Sequence, residues 1–345
     1  MRDGDSAATG MKATVGDALR VLTDAINPVL ITPSAWQRLV DTGNRIPLSS
    51  GGGIECRPAD PDCADLAVRF LSTEVGTDGL LDPPLDVAGA ANAVVAGVVR
   101  RWRTEGSAKP TRMLWVELDL RAGGLPVPSI FVGPGNPPRG APANLPDNDE
   151  WQAIVNLLRP GVPARAVERL LGVLPRGAWV GYIGIMRGRE LRATVSGLTP
   201  DEVRPLLHRL AWPGEARVIE SILSVARAHT ARITLGLDLT EGIGRALGLE
   251  LAPFGPDGWE GLLQGTASLA PLSDSARAAL LAWPGESRRG AHWPAPLRAR
   301  AGRMARRLNH LKFGSDGASP PSLKAYLYFG LIVEQSVAAR ATLSY

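Results

Sequence analysis

The sequence predicts an α+β fold of five αββα-type repeats, in which ten antiparallel strands close into a β-barrel with a polar lumen and α-helices form an outer ring. Three observations carry this. Pairs of strand-like runs alternate with one or two helical patterns five times along the 345 residues. Connections within a pair are as short as Arg187-Gly188-Arg189, which only antiparallel neighbours can use. On most strands apolar and polar residues alternate, so one face is apolar and the other carries charge.

The strand pairs fall in order at GGIECR (52–57) with DLAVRF (65–70), MLWVELDL (113–120) with VPSIFV (127–132), and WVGYIGIM (179–186) with ELRATVSG (190–197). The fourth pair is RITLGLDL (232–239) with ALGLEL (246–251), and the fifth is RLNHLKF (307–313) with SLKAYLYF (322–329). Helical patterns lie between them at 92–103, 151–159 with 164–174, 202–210 with 216–228, and 259–269 with 275–283. AWPGEAR (211–217) recurs as AWPGESR (282–288), each copy closing an amphipathic stretch with a Pro-Gly stop signal. Residues 1–16 are expected to form a disordered tail, 17–340 a single barrel domain, and 135–149 a long surface loop.

The faces decide between architectures. Leu114, Val116 and Leu118 oppose Trp115, Glu117 and Asp119; Leu191, Ala193 and Val195 oppose Arg192, Thr194 and Ser196; Ile233 to Leu239 oppose Arg232, Thr234, Gly236 and Asp238. Leu311 and Phe313 oppose His310 and Lys312, while Leu323, Ala325, Leu327 and Phe329 oppose Lys324, Tyr326 and Tyr328. The run WVGYIGIM is apolar on both faces and leaves the direction of Tyr182 open. An open sheet with water on one side shows the same alternation; five evenly spaced units favour closure, with the charged face inside.

The totals exclude several classes. Hydrophobic content of 45% and charged content of 21% describe an ordinary globular chain. A net charge of +4 without a basic block speaks against nucleic acid as a partner. Cys56 and Cys63 make neither a disulfide framework nor a zinc motif. The polar start MRDGDSAATG has no apolar signal core, and no apolar run is long enough to span a membrane, so a cytoplasmic protein without a membrane span is expected.

Lys324-Ala325-Tyr326, with Glu55 on the first strand and Arg69 on the second, resembles the ABBA-fold (PT-barrel) aromatic prenyltransferases, nearest in pattern to their indole, dimethylallyltryptophan-synthase-like branch. The resemblance covers roughly 45–335 and rests mainly on the repeat architecture. It implies transfer of a prenyl group from an allylic diphosphate donor to an indole, another small aromatic or a peptide acceptor inside the barrel. The chain departs from that branch in having one Lys-x-Tyr, with Arg192-x-Thr194 and Arg232-x-Thr234 at similar positions, and in its many lumen carboxylates.

On that resemblance Glu55 is the general base and acceptor anchor, with another lumen carboxylate or His310 as alternatives, and Tyr326 and Tyr328 shield the allylic cation. Arg57, Arg69, Arg192, Arg232, Lys312 and Lys324 are the candidate diphosphate ligands, since guanidinium and ammonium groups neutralise a departing polyanion. Each of these cations taken singly is equally a partner for a lumen carboxylate. Trp115, Glu117 and Tyr182 are assigned to the acceptor and prenyl chain. No cofactor is required; if Mg²⁺ bridges the diphosphate, Asp119 and Asp238 are its oxygen donors. A terpene cyclase on the same scaffold, or a non-catalytic barrel holding a ligand or peptide, are the alternatives.

Overall fold

The computed structural model describes residues 13–332 apart from 50, 72–88, 107–112, 121–123, 125, 134–147, 160–164, 188–189, 241, 299–301 and 316–320. Its strands are β1 (Gly51–Cys56), β2 (Ala64–Leu71), β3 (Met113–Asp119), β4 (Val127–Gly133), β5 (Trp179–Met186), β6 (Glu190–Leu198), β7 (Ile233–Leu239), β8 (Ile243–Leu251), β9 (Gly285–Arg288), β10 (Arg303–Ser315) and β11 (Ser322–Ile332). β1 to β8 pair in succession, β8 pairs with β10, β10 with β11 and β11 with β1, all antiparallel. Ten strands therefore form a closed ring with no free edge, which is the predicted barrel.

The eleventh strand, β9, was not predicted. It is the second copy of the Trp-Pro-Gly-Glu repeat, paired with Arg303–Arg306 of β10. The β8 partners of β10 begin only at Leu311, so the first half of this long strand has no barrel neighbour on that side, and β9 covers it. The first copy makes a turn instead, with Ala211 at φ 52. Both copies nonetheless use their tryptophan alike. The Trp212 indole N–H donates to the Arg245 carbonyl at 3.0 Å and that of Trp283 to the Arg307 carbonyl at 3.2 Å, each tying a helix end to a strand of its repeat.

The helices are α1 (Val15–Leu22), α2 (Pro33–Gly43), α3 (Gly89–Gly106), α4 (Asn148–Leu158), α5 (Arg165–Gly172), α6 (Pro200–Arg209), α7 (Ala216–His229), α8 (Trp259–Thr266), α9 (Asp274–Ala282) and the short α10 (Ala295–Arg298). Their starts follow local chemistry. Thr32 caps α2 by accepting from the Ala35 N–H, with Pro33 at the first position, and Ser273 caps α9 by accepting from the Ala276 N–H. α1 revises one expectation: Thr14 and Asp17 form a capping box and Ala13 is buried, so 13–16 belong to the folded chain, while 1–12 lie outside the described residues. The predicted loop 135–149 also yields its last two residues to α4, and the rest of it lies outside the described residues.

The outward faces of the strands supply one continuous core. Ile54, Leu66, Val116, Ile130, Ile183, Ala193, Leu237, Leu249, Phe313 and Leu327 are buried beneath the helices together with Trp102, Trp151 and Leu263. At about 25 cal/mol per Å² of apolar area removed from water, this packing is the main source of stability. Removing the outer face from water in this way leaves the opposite, mostly polar faces of the barrel strands turned inward. No helix among the described residues is long and apolar enough to cross a membrane.

Candidate active site

Strand register fixes which side chains share the lumen, because directly opposed residues point to the same face. Glu55 is opposed by Tyr326 on one side and Asp65 on the other. Continuing round the ring, Arg69 opposes Trp115, Trp115 opposes Phe131, Phe131 opposes Gly184 and Gly184 opposes Arg192. Arg192 opposes Asp238, Thr234 opposes Glu250, Glu250 opposes Lys312, and Lys312 opposes Lys324. Glu117 lies between Ala67 and Ser129. Tyr182, whose direction the sequence left open, opposes Thr194 after an irregularity in β5 and accepts a hydrogen bond from Trp115, so it too faces inward.

The centre of the charged wall is Glu55, which is 1% exposed. Lys324 Nζ lies 2.5 Å from its Oε1, Arg57 Nη2 lies 2.9 Å from the same oxygen, and the Tyr326 hydroxyl donates to Oε2. Burial by itself would raise the Glu55 pKa; Lys324 and Arg57, with the hydrogen bonds from Lys324 and Tyr326, outweigh it and hold the carboxyl at about 2. A carboxylate satisfied three times and this acidic is a poor proton acceptor, contrary to the general-base role expected of it.

Tyr326 is tied to the same carboxylate. Burial first, then Glu55, drives its phenol pKa well up, so it stays a neutral donor. His310 stacks on its ring at 4.1 Å between centroids, and Lys312 Nζ lies 5.6 Å from its centroid. Tyr326 is thus enclosed among polar neighbours, and Tyr328 is the phenol with its hydroxyl end laid against Gly51 and Gly330, where a Cβ would lie 2.6 and 2.7 Å from the oxygen. His310 is held below its ordinary pKa by burial, partly offset by Glu250 at 3.8 Å.

The remaining cations are paired across the ring. Lys312 sits 3.1 Å from Glu250, whose charge overcomes the penalty of burial and raises the lysine pKa. Arg192 Nε donates to Asp238 at 2.6 Å. Arg57 lies just past the end of β1, bridging Glu55 and Asp65, the latter at 2.5 Å. Arg232 is the clear exception among the predicted diphosphate ligands: it precedes β7, donates to the Gly197 carbonyl at 2.9 Å, reaches toward Glu202 on α6, and is 58% exposed. It belongs to the rim rather than the lumen.

The proposed metal donors do not form one site. Asp119 on β3 accepts from Arg187 at 2.6 Å and Asp238 on β7 from Arg192, four strands apart round the ring. Glu55, Asp65 and Glu117 do converge, with one oxygen of each within 4.8 Å of the others. Arg57 and Lys324 already bridge the first two, and Asp65 also accepts from the Leu120 N–H at 2.9 Å. The chain supplies its own cations here, and this donor set does not fit Mg²⁺.

Sequence reasoning missed Asp65, Phe131 and Arg187. Asp65 and Phe131 carry the same two-residue alternation as Arg69 and Trp115-Glu117 and were legible in it. Arg187, in the β5–β6 turn at φ 50, carries no sequence signal. Gly53 and Gly236 bear on the space available, since an added Cβ would find no atom nearer than 3.8 Å at either. Both are lumen-facing positions on β1 and β7, where an added methyl group would meet its neighbours only at ordinary contact distance. Two clefts of about 470 and 690 Å³ lie outside the barrel on the flank of α6, lined by residues such as Asp201, Pro205 and Arg209. Neither is lined by a strand residue.

No protein-family model matches the chain, and no curated protein matches it. Among solved structures, PriB in binary complex with product diphosphate is similar, with a TM-score of 0.51 over 92% of this chain and 96% of that one, at 13% identity. The fold is the PT barrel.

Proposed function

We propose that the barrel transfers a prenyl group from an allylic diphosphate to an aromatic acceptor, with an indole as the first acceptor to test. The observation that carries this reading is the direct opposition of Lys312 and Lys324 in the β10–β11 register. Like charges placed opposite each other destabilise a sheet. Here both ammoniums face the lumen, half-buried, each balanced by a separate carboxylate on its far side, Glu250 for one and Glu55 for the other. An oxyanion seated between them relieves the repulsion, and a diphosphate is the oxyanion whose departure such a pair assists.

Arg192 and Arg69 extend the cationic wall, and Trp115, Phe131, Tyr182 and Tyr328 supply aromatic surface for an allylic cation. The likeness to a barrel solved with diphosphate as its product supports the donor class. Glu55 in this reading is a positioning residue that fixes Lys324 and Tyr326, while the helix ring keeps bulk water from the cation.

The experiment is to incubate the purified protein with dimethylallyl, geranyl or farnesyl diphosphate, with and without tryptophan, and to follow diphosphate release and product mass. Acceptor-dependent release with a prenylated product supports the proposal. Release without an acceptor points to cyclisation of the donor, and no release with any donor points to a binding barrel.

A further inference from the structure

Three carboxylates meet beside Lys324, and two of them are spent. Glu55 has Lys324, Arg57 and Tyr326; Asp65 has Arg57 and the Leu120 N–H. Glu117 has no hydrogen bond or ion pair within 4 Å among the described residues, although an oxygen of it lies within 4.8 Å of the other two. Its cross-strand neighbours, Ala67 and Ser129, are too small to cover it. It is half-buried, faces the chamber, and follows Trp115 on the same face of β3. A lumen-facing carboxylate with no donor among the described residues and an aromatic residue two positions before it on the same face is placed to meet a substrate proton.

We infer that Glu117 is a further catalytic residue of the transfer, the group that takes the proton leaving the acceptor ring. This rests on the proposed function. The step balances as follows: the allylic C–O bond breaks and diphosphate leaves with the electron pair; an acceptor ring carbon forms a bond to the allylic carbon. The proton on that ring carbon then passes to Glu117, restoring aromaticity, and is later released to water. The charged and titratable groups facing Glu117 are Glu55 on β1, Asp65 on β2, Asp119 on its own strand, Arg187 in the β5–β6 turn, Lys312 on β10, and Lys324 and Tyr326 on β11; β4 contributes only Ser129. Burial, then Glu55 and Asp119, raise the Glu117 pKa to about 7, and the two ammoniums limit the rise, which suits a base working near neutrality.

The test compares wild type with Glu117→Gln, which keeps the shape, and Glu117→Asp, which keeps the base. For wild type the rate of product formation should rise with pH through neutrality and then level, and on that plateau deuteration of the acceptor at the attacked carbon should give no isotope effect. Glu117→Gln should lose about a hundredfold in rate, lose the pH dependence and gain a deuterium isotope effect, because proton removal becomes limiting. Glu117→Asp should recover part of the rate and the pH dependence. Glu117→Gln with the wild-type rate, pH profile and isotope effect would overturn the role while leaving prenyl transfer standing. A wild-type protein that releases no diphosphate from any donor would overturn both.

Discussion

Tyr326 and Glu55 stand opposite each other where β11 meets β1, and the phenol donates its hydrogen to the carboxylate across the closure of the barrel. Lys324 meets the other oxygen of the same carboxylate. The Lys-x-Tyr of β11 is therefore one clamp on one buried charge, and substitutions in it change stability and chemistry together.

Lys324→Ala should both unsettle the fold and slow the reaction. Removing one partner of a buried ion pair leaves an uncompensated charge, a loss of about 3–5 kcal/mol when the pair is fully buried and less here, since the Lys324 side chain is 23% exposed and Arg57 remains. The Glu55 pKa should rise from about 2 toward the ordinary carboxylate range. Urea denaturation and carboxyl titration by NMR measure the two effects. Lys324→Arg, which keeps the charge, should retain most of the stability.

Tyr326→Phe should cost roughly 1.5–3 kcal/mol, the usual value of a hydrogen bond to a charged group. Tyr326→Ala should cost more, because the stacking of His310 goes as well, a further ~0.5–1.5 kcal/mol. Equal denaturation midpoints for Tyr326→Phe and wild type would contradict the clamp.

The pH dependence of stability should carry two opposite limbs. A carboxyl raised in the folded state stabilises fully below its unfolded pKa, and that contribution is lost as pH rises through the folded value. Burial, then Glu55, lifts Asp65 from 3.8 to about 6 and Glu117 from 4.5 to about 7, so their contribution fades between about pH 4 and 7. Glu55, lowered to about 2, contributes above 4.5 and loses that contribution as pH falls toward 2. Chemical denaturation across this range should find a maximum near pH 4–5 and a decline toward neutrality of a few kcal/mol, at about 1.4 kcal/mol per pKa unit. Glu117→Gln should flatten part of that decline.

Two lumen glycines should respond oppositely to the same substitution. A Cβ on Gly184 would lie 2.3 Å from Phe131 and 2.4 Å from the Ile130 carbonyl oxygen, so Gly184→Ala should destabilise by about 1–3 kcal/mol. At Gly53 nothing lies within 3.8 Å, and Gly53→Ala should be neutral or stabilising by up to ~1 kcal/mol. Thermal denaturation of the two variants reads the difference, and a loss at Gly53 as large as at Gly184 would mean that the chamber is closed there.

Much of this arrangement was legible because a barrel inverts the usual amphipathic rule consistently. Once Leu114-Val116-Leu118 and Leu323-Leu327-Phe329 are read as facing helices, parity alone puts Glu55, Glu117, Lys312 and Lys324 in one lumen. Which carboxylate each cation would meet was not legible, because it depends on side-chain reach across strands distant in sequence. Lys324 appeared as a diphosphate ligand or as the partner of some lumen carboxylate, without Glu55 being singled out, and Glu55 appeared as the base with no sign that three donors would satisfy it. Arg232 misled for a related reason: it has lumen parity, but it precedes the strand and turns to Gly197 and the start of α6. β9 escaped because Gly-Glu-Ser-Arg has no strand pattern of its own; the unpaired first half of β10 recruits it.

The central claim is that the opposed ammoniums of Lys312 and Lys324 hold a diphosphate whose prenyl group leaves inside the barrel. The most direct measurement is acceptor-dependent diphosphate release by wild type and by Lys312→Ala, a variant that leaves the Glu55 clamp intact. Wild type should release diphosphate in the presence of an aromatic acceptor, and folded Lys312→Ala should do so roughly a hundredfold more slowly with every donor that works. Release by folded Lys312→Ala at the wild-type rate would contradict the claim.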